Sequence, residues 1–244
     1  MRVSALALAS TLAVSALGCS GHAPGYPPDP VVRPTAITDF RTLYGENCSA
    51  CHGANGQGGP AIDLANPEYQ ALVDDATLRK WITNGMPGTE MAAFAESAGG
   101  MLTGEQVNAI IAGMRKAWLK PNAFGGTTPP PYAQTGSGDS AHGLALYAAS
   151  CASCHKSPKQ DITNPDYLAL VGDQALRSII VAGRPDIGQP DWSHLTSNGK
   201  PVAPLSAQDV NDLVAYLGSL RNPPAAPATA APAQSPKSPG QTGR

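Results

Sequence analysis

The chain has 244 residues, of which 42% are hydrophobic and only 5% aromatic, and its formal net charge at pH 7 is −2. This length allows one large domain or two domains of about 100 residues each. With so few aromatic side chains, the cores of domains of this size would be incompletely filled unless another group occupies part of them. The composition gives no indication of a nucleic-acid partner.

The first 18 residues have the pattern of a signal peptide. Arg2 precedes an almost uninterrupted Ala/Leu/Val stretch that ends at Gly18, as in the n- and h-regions of such peptides. Small or apolar residues before Cys19 resemble a bacterial lipobox, whose cysteine is lipidated and becomes the mature N-terminus. An ordinary cleaved signal with an incidental Cys19 is the alternative. No later apolar run reaches the roughly 20 residues that cross a bilayer, so we predict an exported, periplasmic protein held on a membrane by lipid.

Proline and glycine divide the rest of the chain, because they cluster in three places that have the composition of tethers and linkers. We predict a disordered tether at residues 19–34, a first domain at 35–119, a linker at 120–140, a second domain at 141–222 and a disordered tail at 223–244.

The two predicted domains are copies of each other. The run Asn66-Pro67-Glu68-Tyr69 matches Asn164-Pro165-Asp166-Tyr167, and Leu78-Arg79 matches Leu176-Arg177 without a gap between the two matches. Self-similarity at a fixed spacing indicates an internal duplication. We therefore expect the same helices in both halves of the chain.

A helix is predicted before each of two cysteine pairs. Phe40 and Tyr44 precede the first pair, and Leu144 and Tyr147 precede the second, at spacings that place them on one helix face. Each cysteine pair therefore follows the N-terminal helix of its domain.

The last helix of each domain begins at a hydroxyl residue. Thr103 stands three residues before Gln106, which is a capping-box pattern, and Ser206 stands three residues before Asp209. The apolar positions that follow are spaced as one buried stripe: Val107, Ile110, Ile111 and Met114, then Val210, Leu213, Val214 and Leu217. No segment alternates convincingly as a strand, so the predicted fold is all-α.

The motif Cys-x-x-Cys-His occurs twice, at residues 48–52 and 151–155. Two thiols at this spacing can each add to a vinyl group of one porphyrin and leave the next imidazole under the iron. A zinc site or a redox dithiol is the alternative, but export, duplication and the preceding helices favour two covalently bound haem c groups. The predicted attachment residues are Cys48, Cys51, Cys151 and Cys154, and the predicted proximal ligands are His52 and His155.

On these motifs the chain resembles the class I cytochromes c, and as a duplicated pair it is similar to the dihaem cytochromes c of bacterial respiratory chains. The resemblance covers both domains and implies a few helices around one haem in each. In this family the N- and C-terminal helices cross with a small residue against an aromatic one. We therefore expect Phe40 to pack on Gly113 and, with the partners exchanged, Gly143 to pack on Tyr216.

The family also places a proline near the proximal histidine, with a neighbouring carbonyl that orients the imidazole. Pro60 and Pro158 resemble this proline. Plain turn formation is an equal alternative for Pro158.

The sixth iron ligand in the family is usually a methionine in a loop before the last helix, often within Met-Pro-x-Phe. Met91 precedes Ala-Ala-Phe94 and matches this motif with alanine in place of proline, whereas Met86 follows the helix end closely. The resemblance therefore favours Met91 over Met86 as the ligand of the first haem. Core filling is the alternative role for either side chain.

The second domain departs from this pattern because Met91 aligns with Gln189. The five methionines of the chain are Met1, Met86, Met91, Met101 and Met114. The second haem thus has His194, Gln189 or an open position as its sixth ligand, with His194 preferred. Arg184 replaces Met86 and either pairs with a haem propionate or is solvated. Because methionine ligation favours reduced iron, we expect the first haem to have the higher potential.

These features predict an electron carrier rather than an enzyme. The expected role is a relay between a membrane quinol-oxidising or dehydrogenase complex and a downstream acceptor, with redox proteins as partners. One alternative is a haem enzyme that uses an open position on the second haem. The other is a fixed cytochrome subunit of a larger complex.

Overall fold

Helices make up most of the regular structure of the protein, as the sequence predicts. The computed structural model describes residues 32–155, 157–158 and 160–221. The predicted signal peptide, Cys19, most of the tether and the tail lie outside these residues. The chain divides after Ala36 into a short N-terminal unit, which contributes the 3-10 turn Pro34–Ala36, and a unit that begins at Ile37.

Four helices of the first domain recur in the second, whereas the single helical turn at Ser49–His52 has no helical counterpart among the described residues there. The helices of the first domain are α1 (Phe40–Asn47), α2 (Ser49–His52), α3 (Pro67–Leu72), α4 (Asp75–Asn84) and α5 (Gly104–Trp118), with a 3-10 turn at Glu96–Ala98. Those of the second are α6 (Ser140–Ser150), α7 (Pro165–Leu170), α8 (Asp173–Ala182) and α9 (Ala207–Ser219), with a 3-10 turn at Pro185–Ile187. Among the described residues, no helix is long and apolar enough to cross a membrane.

One small hairpin was not predicted. Strands β1 (Thr196–Ser197) and β2 (Lys200–Pro201) pair antiparallel around Asn198 and Gly199, both of which have positive φ. Asn-Gly is the preferred sequence of such two-residue turns, so a local signal for this hairpin was present in the chain.

The duplicated sequence motifs act as helix caps. Asn66 accepts hydrogen bonds from the backbone N–H groups of Glu68 and Tyr69, and Asn164 caps α7 in the same way. Capping boxes begin both α5 and α9, so the looser pattern at Ser206 forms a complete box as well. Each such cap is worth about 1 kcal/mol of stability.

The stripes predicted on the last helices form the centres of the two cores. All eight side chains of these stripes are buried, with exposed fractions of 3% or less. The other helices of each domain pack around them, with α1 and α4 against α5, and α6 and α8 against α9. The prediction of a buried last helix in each domain is therefore confirmed.

An arginine at the end of each last helix binds the turn between the two preceding short helices. Arg115 donates to the carbonyl of Val73 at 2.6 Å and pairs with Asp75 at 2.7 Å. Arg221 donates to the carbonyl of Val171 at 2.6 Å and pairs with the matching acid, Asp173. Arg221 stands three residues beyond the position that aligns with Arg115, so alignment of the repeats does not reveal this shared contact.

The predicted linker covers one face of the second domain. Arg177 on α8 donates from Nε to the carbonyl of Pro131 at 2.8 Å and from Nη1 to Asn211 Oδ1 at 2.7 Å. Asn211 in turn donates to the carbonyl of Thr135 at 2.8 Å. The aligned pair in the first domain, Arg79 and Asn108, also forms a hydrogen bond but is exposed. The linker therefore buries the Arg–Asn pair of the second domain, whereas the equivalent pair of the first domain is exposed to solvent.

Candidate functional site

The helix crossing predicted in each domain is present. A Cβ added to Gly113 would lie 2.1 Å from the ring of Phe40, so the two residues are in direct contact. A Cβ on Gly143 would lie 2.8 Å from the Cβ of Tyr216 and 2.0 Å from the carbonyl oxygen of Asp212. The exchange of large and small partners between the domains is confirmed.

The first Cys-x-x-Cys-His motif lies where α1 ends and α2 forms a single turn. Its histidine, His52, is 8% exposed, and its Nδ1 donates to the carbonyl of Ile62 at 2.9 Å. Burial lowers the pKa of His52, against the opposing effect of the Ile62 carbonyl. Because Nδ1 is occupied, Nε2 of the neutral ring remains as the atom that can bind a metal.

The second motif has the same arrangement after α6. Nδ1 of His155 donates to the carbonyl of Gln160 at 2.8 Å. Gln160 aligns with Ile62, so the duplicated loop presents an equivalent carbonyl to each proximal histidine. Each carbonyl holds Nδ1 of its histidine and so leaves Nε2 available for iron.

These carbonyls belong to Ile62 and Gln160, which lie two residues beyond Pro60 and Pro158. In the first domain the reason for this spacing is visible in the backbone. The N–H of Ala61, the residue after Pro60, donates to the carbonyl of Cys51 at 3.0 Å. This bond returns the chain to the motif and brings the next carbonyl, that of Ile62, to His52.

The four motif cysteines have free thiols. Cys51 and Cys154 are exposed, whereas Cys48 and Cys151 are half-buried against the cores of their domains. Burial raises the pKa of both Cys48 and Cys151 to about 11. Four unpaired thiols and two imidazoles with a free Nε2 are the donor set that covalent haem attachment needs, so the residues fit two haem c groups.

The predicted sixth-ligand loops have matching backbones. The N–H of Met86 donates to the carbonyl of Met91 at 2.9 Å, and the N–H of Arg184 donates to the carbonyl of Gln189 at 2.9 Å. Met91 and Gln189 therefore occupy the same place in the two repeats. Met91 packs against the core of the first domain, whereas the amide of Gln189 donates to the carbonyl of Ile179 at 3.2 Å.

His194 lies in the same loop of the second domain, near the surface. Its side chain is 76% exposed, and its Nδ1 lies 2.8 Å from Asp191 Oδ2. Bonds from Ser193 and from His194 hold the pKa of Asp191 below its usual value, although burial of the carboxyl opposes this. A carboxylate on Nδ1 leaves Nε2 of His194 free, as it is in a metal-binding histidine.

Comparison with known families assigns both domains. Residues 35–112 match the subunit III family of cbb3-type cytochrome c oxidases, and residues 140–221 match the cytochrome c family. The chain consists of two tandem cytochrome c domains. As a dihaem class I c-type cytochrome it carries two covalently bound haem c groups, and domains of this kind indicate an exported protein.

Two curated relatives and one solved structure are similar to parts of this chain. The cytochrome is 34% identical over 117 residues to the dihydro-haem d1 dehydrogenase of Pseudomonas aeruginosa, covering 48% of this chain and 19% of that protein. It is 30% identical over 136 residues to the cbb3-type oxidase subunit CcoP of an Azospirillum species, covering 51% of this chain and 41% of the subunit. A solved c-type cytochrome, KustC0563, is 31% identical over 34% of this chain and 99% of its own, with a TM-score of 0.29. The cytochrome thus spans less than half the length of either curated relative.

Sequence reasoning did not find the residues that connect the haem loops of the two domains. Asn66, predicted only as part of a repeat, donates from Nδ2 to the carbonyls of Ala182 at 2.8 Å and Gly183 at 3.2 Å. Arg184 is not solvated, because its side chain is 11% exposed and its guanidinium forms two 2.8 Å bonds to Asp186. Contacts between repeats depend on tertiary packing and leave no periodic signal in the sequence.

Proposed function

We propose that this dihaem cytochrome relays electrons in a bacterial respiratory or related chain, between a membrane oxidoreductase complex and a downstream redox protein. The observation that carries the proposal is the asymmetry of two equivalent loops, with Met91 at the sixth-ligand place of one domain and Gln189 at that of the other. Two haems of unequal potential, in domains that are in contact, can pass electrons in a defined direction.

The proposed ligands of the first haem are His52 and Met91, and the proximal ligand of the second is His155. For the sixth position of the second haem we propose His194, because Asp191 holds its Nδ1 and leaves Nε2 available. Gln189 is the alternative from the same loop. Thioether ligation favours the reduced iron, so the first haem has the higher potential.

We also propose that lipidation of Cys19 ties the protein to a membrane and that residues 1–18 are the signal peptide that is removed. The similarity to CcoP, a subunit of a cbb3-type oxidase, supports a partner that is itself a membrane complex. A quinol-oxidising complex is the donor that best fits an exported carrier held at the membrane.

A redox titration of the purified holoprotein, followed by visible spectroscopy, tests the relay. We expect two resolved transitions, and reduction of both haems when membranes with a quinol-oxidising complex and quinol are added. A single transition for both haems, or no reduction by the membranes, would contradict the proposal.

A second candidate function is small-molecule chemistry at an open second haem. The lack of a methionine in the second loop favours it, as does the similarity to a dihydro-haem d1 dehydrogenase. Spectra of the oxidised His194→Ala variant separate the two functions. Conversion of one haem to high spin supports His194 as ligand and the relay. A second haem that is already high-spin in the unmodified protein supports the enzyme, and an unchanged low-spin spectrum of both haems excludes His194.

A further inference from the structure

Two aspartates occupy equivalent places beside the proximal histidines. Asp63 follows Ile62, whose carbonyl binds His52, and Asp161 follows Gln160, whose carbonyl binds His155. Each carboxylate is thus one residue from the carbonyl that orients an iron ligand. Their surroundings, however, are opposite.

Asp161 is held in its charged form. Its carboxylate accepts two bonds from Thr163, at 2.8 Å from the backbone N–H and at 2.5 Å from the hydroxyl. These two bonds lower the pKa of Asp161. Asp161 is therefore ionised throughout the physiological range and has no proton to exchange.

Asp63 lacks this support and is buried, with an exposed fraction of 2%. Alanine replaces the threonine in the first domain, so the hydroxyl bond is lost, although the N–H of Ala65 still donates at 2.9 Å. Burial raises the pKa of Asp63, and the negative charge of Asp186 raises it further. Hydrogen bonds from the backbone and the positive charge of Arg184 oppose the shift without cancelling it.

The second domain supplies both of the charges that face Asp63. Arg184 is 11% exposed and Asp186 is 6% exposed, and the two form a two-pronged ion pair. Nη1 of Arg184 lies 3.5 Å from the carbonyl oxygen of Ala61, two residues before Asp63. From the first domain, the titratable group that faces Asp63 is Tyr44, whose phenol donates to the carbonyl of Gly53 at 2.9 Å.

The loop that carries this ion pair is docked on the first domain by other bonds as well. Nδ2 of Asn66, three residues after Asp63, binds the carbonyls of Ala182 and Gly183, and Ala182 packs within the core of the first domain. The positions of Arg184 and Asp186 are therefore determined by the contact between the repeats rather than by a mobile surface loop.

We propose that Asp63 takes up one proton from solvent when the first haem accepts an electron, and that Arg184 and Asp186 of the second domain set the pH range of this coupling. Reduction removes one positive charge from the iron, and protonation removes one negative charge from Asp63. The buried region therefore keeps its net charge, which a low dielectric favours. The inference depends on the proposed ligation of the first haem by His52, and not on the identity of the redox partners.

The experiment is a redox titration of each haem in the holoprotein over a range of pH. The reduced state binds the proton more tightly, so the potential of the first haem falls as pH rises through the pKa of Asp63. We expect Asp63→Asn to abolish this fall and the matched control Asp161→Asn to leave it unchanged. An unchanged pH dependence in Asp63→Asn would overturn the proposal.

A second variant tests the part played by the second domain. Because Arg184 stabilises the charged carboxylate of Asp63, Arg184→Gln should move the fall in potential to higher pH by about one unit. Arg184→Lys keeps the positive charge, so its fall in potential should stay close to the original pH range. Arg79→Gln removes an exposed charge of the same sign from the first domain and should cause no such shift. A shift of equal size in Arg79→Gln would show a general charge effect and contradict the role of Arg184.

Infrared difference spectra of the unmodified protein keep the proposal testable if a variant does not fold. Reduction of the first haem should produce the C=O band of a newly protonated carboxylic acid, and its absence would contradict the proposal. The visible spectrum of the same sample reports whether the first haem is low-spin, as ligation by His52 and Met91 requires. Failure of the ligation and failure of the proton coupling are therefore separate results.

Discussion

The first and second domains of this cytochrome share one set of contacts and differ in another. They share the crossing of the first and last helices, the carbonyl on each proximal histidine and the arginine that binds the turn between the short helices. They differ at the proposed sixth-ligand place, in the surroundings of the aspartate that follows the carbonyl bound by each motif histidine, and in whether the linker covers the Arg–Asn pair. The shared contacts hold the helices together and orient the two motif histidines, and the differences lie beside the proposed haem ligands and at the Arg–Asn pair.

The largest expected effect comes from making the two sixth-ligand places alike. Met91→Leu removes the proposed thioether ligand, so the potential of the first haem should fall by a sizeable part of the roughly 0.8 V range that axial ligands span. Gln189→Met places a thioether at the equivalent position of the second loop and should therefore raise the potential of the second haem. A spectroelectrochemical titration of both variants measures the two changes.

Met86→Leu is the control, because Met86 lies in the same loop and keeps its backbone bond to Met91. Its potentials should match those of the unmodified protein. The assignment of Met91 is wrong if the Met86 variant shows the fall instead.

The next largest effect should distinguish the two Arg–Asn pairs. Arg177→Ala leaves a cavity and removes the donor to the Pro131 carbonyl and Asn211, so we expect a loss of about 3 kcal/mol in the free energy of unfolding. Arg79→Ala, at the exposed pair, should change it by less than about 0.5 kcal/mol. Chemical denaturation of the holoprotein gives both values, and equal losses would mean that the linker does not bury the second pair.

The helix crossings should show a smaller difference. Gly113→Ala and Gly143→Ala each place a methyl group in an occupied position, at a cost of about 1–3 kcal/mol. The clash at Gly143 is with the backbone carbonyl of Asp212, whereas that at Gly113 is with the Phe40 side chain. Gly113→Ala should therefore cost less in the Phe40→Ala background than in the unmodified protein, which is a partial recovery.

Thermal unfolding of the single and double variants measures this recovery. If Gly143→Ala proved harmless, the close approach of α6 and α9 described for the second domain would be incorrect.

Sequence patterns predicted those parts of the molecule that depend on residues close together in the chain. Helix caps, buried stripes and the Cys-x-x-Cys-His motifs each follow from residues a few positions apart, and the duplication extended each prediction to the second copy. The exchanged contacts of Phe40 with Gly113 and of Gly143 with Tyr216 could also be predicted, because alignment of the repeats places a large residue opposite a small one.

Contacts that depend on how segments meet in space were not predictable in the same way. Asn66 and Asn164 are each followed by a proline, an acidic residue and a tyrosine, yet within the described part of the chain only Asn66 binds the other domain. Arg221 performs the role of Arg115 from two residues beyond the end of α9, whereas Arg115 lies in the last turn of α5. The carbonyls of Ile62 and Gln160 carry no side-chain signal, so only the backbone path reveals them.

The linker that covers Arg177 and Asn211 determines at which residue a fragment containing the second domain should begin. A fragment that began at Ser140, the first residue of α6, would lose the carbonyls of Pro131 and Thr135 that these two side chains bind. It would also lose Asp139, whose side chain caps α6. The shortest autonomous piece therefore starts near Pro131, about nine residues before its first helix.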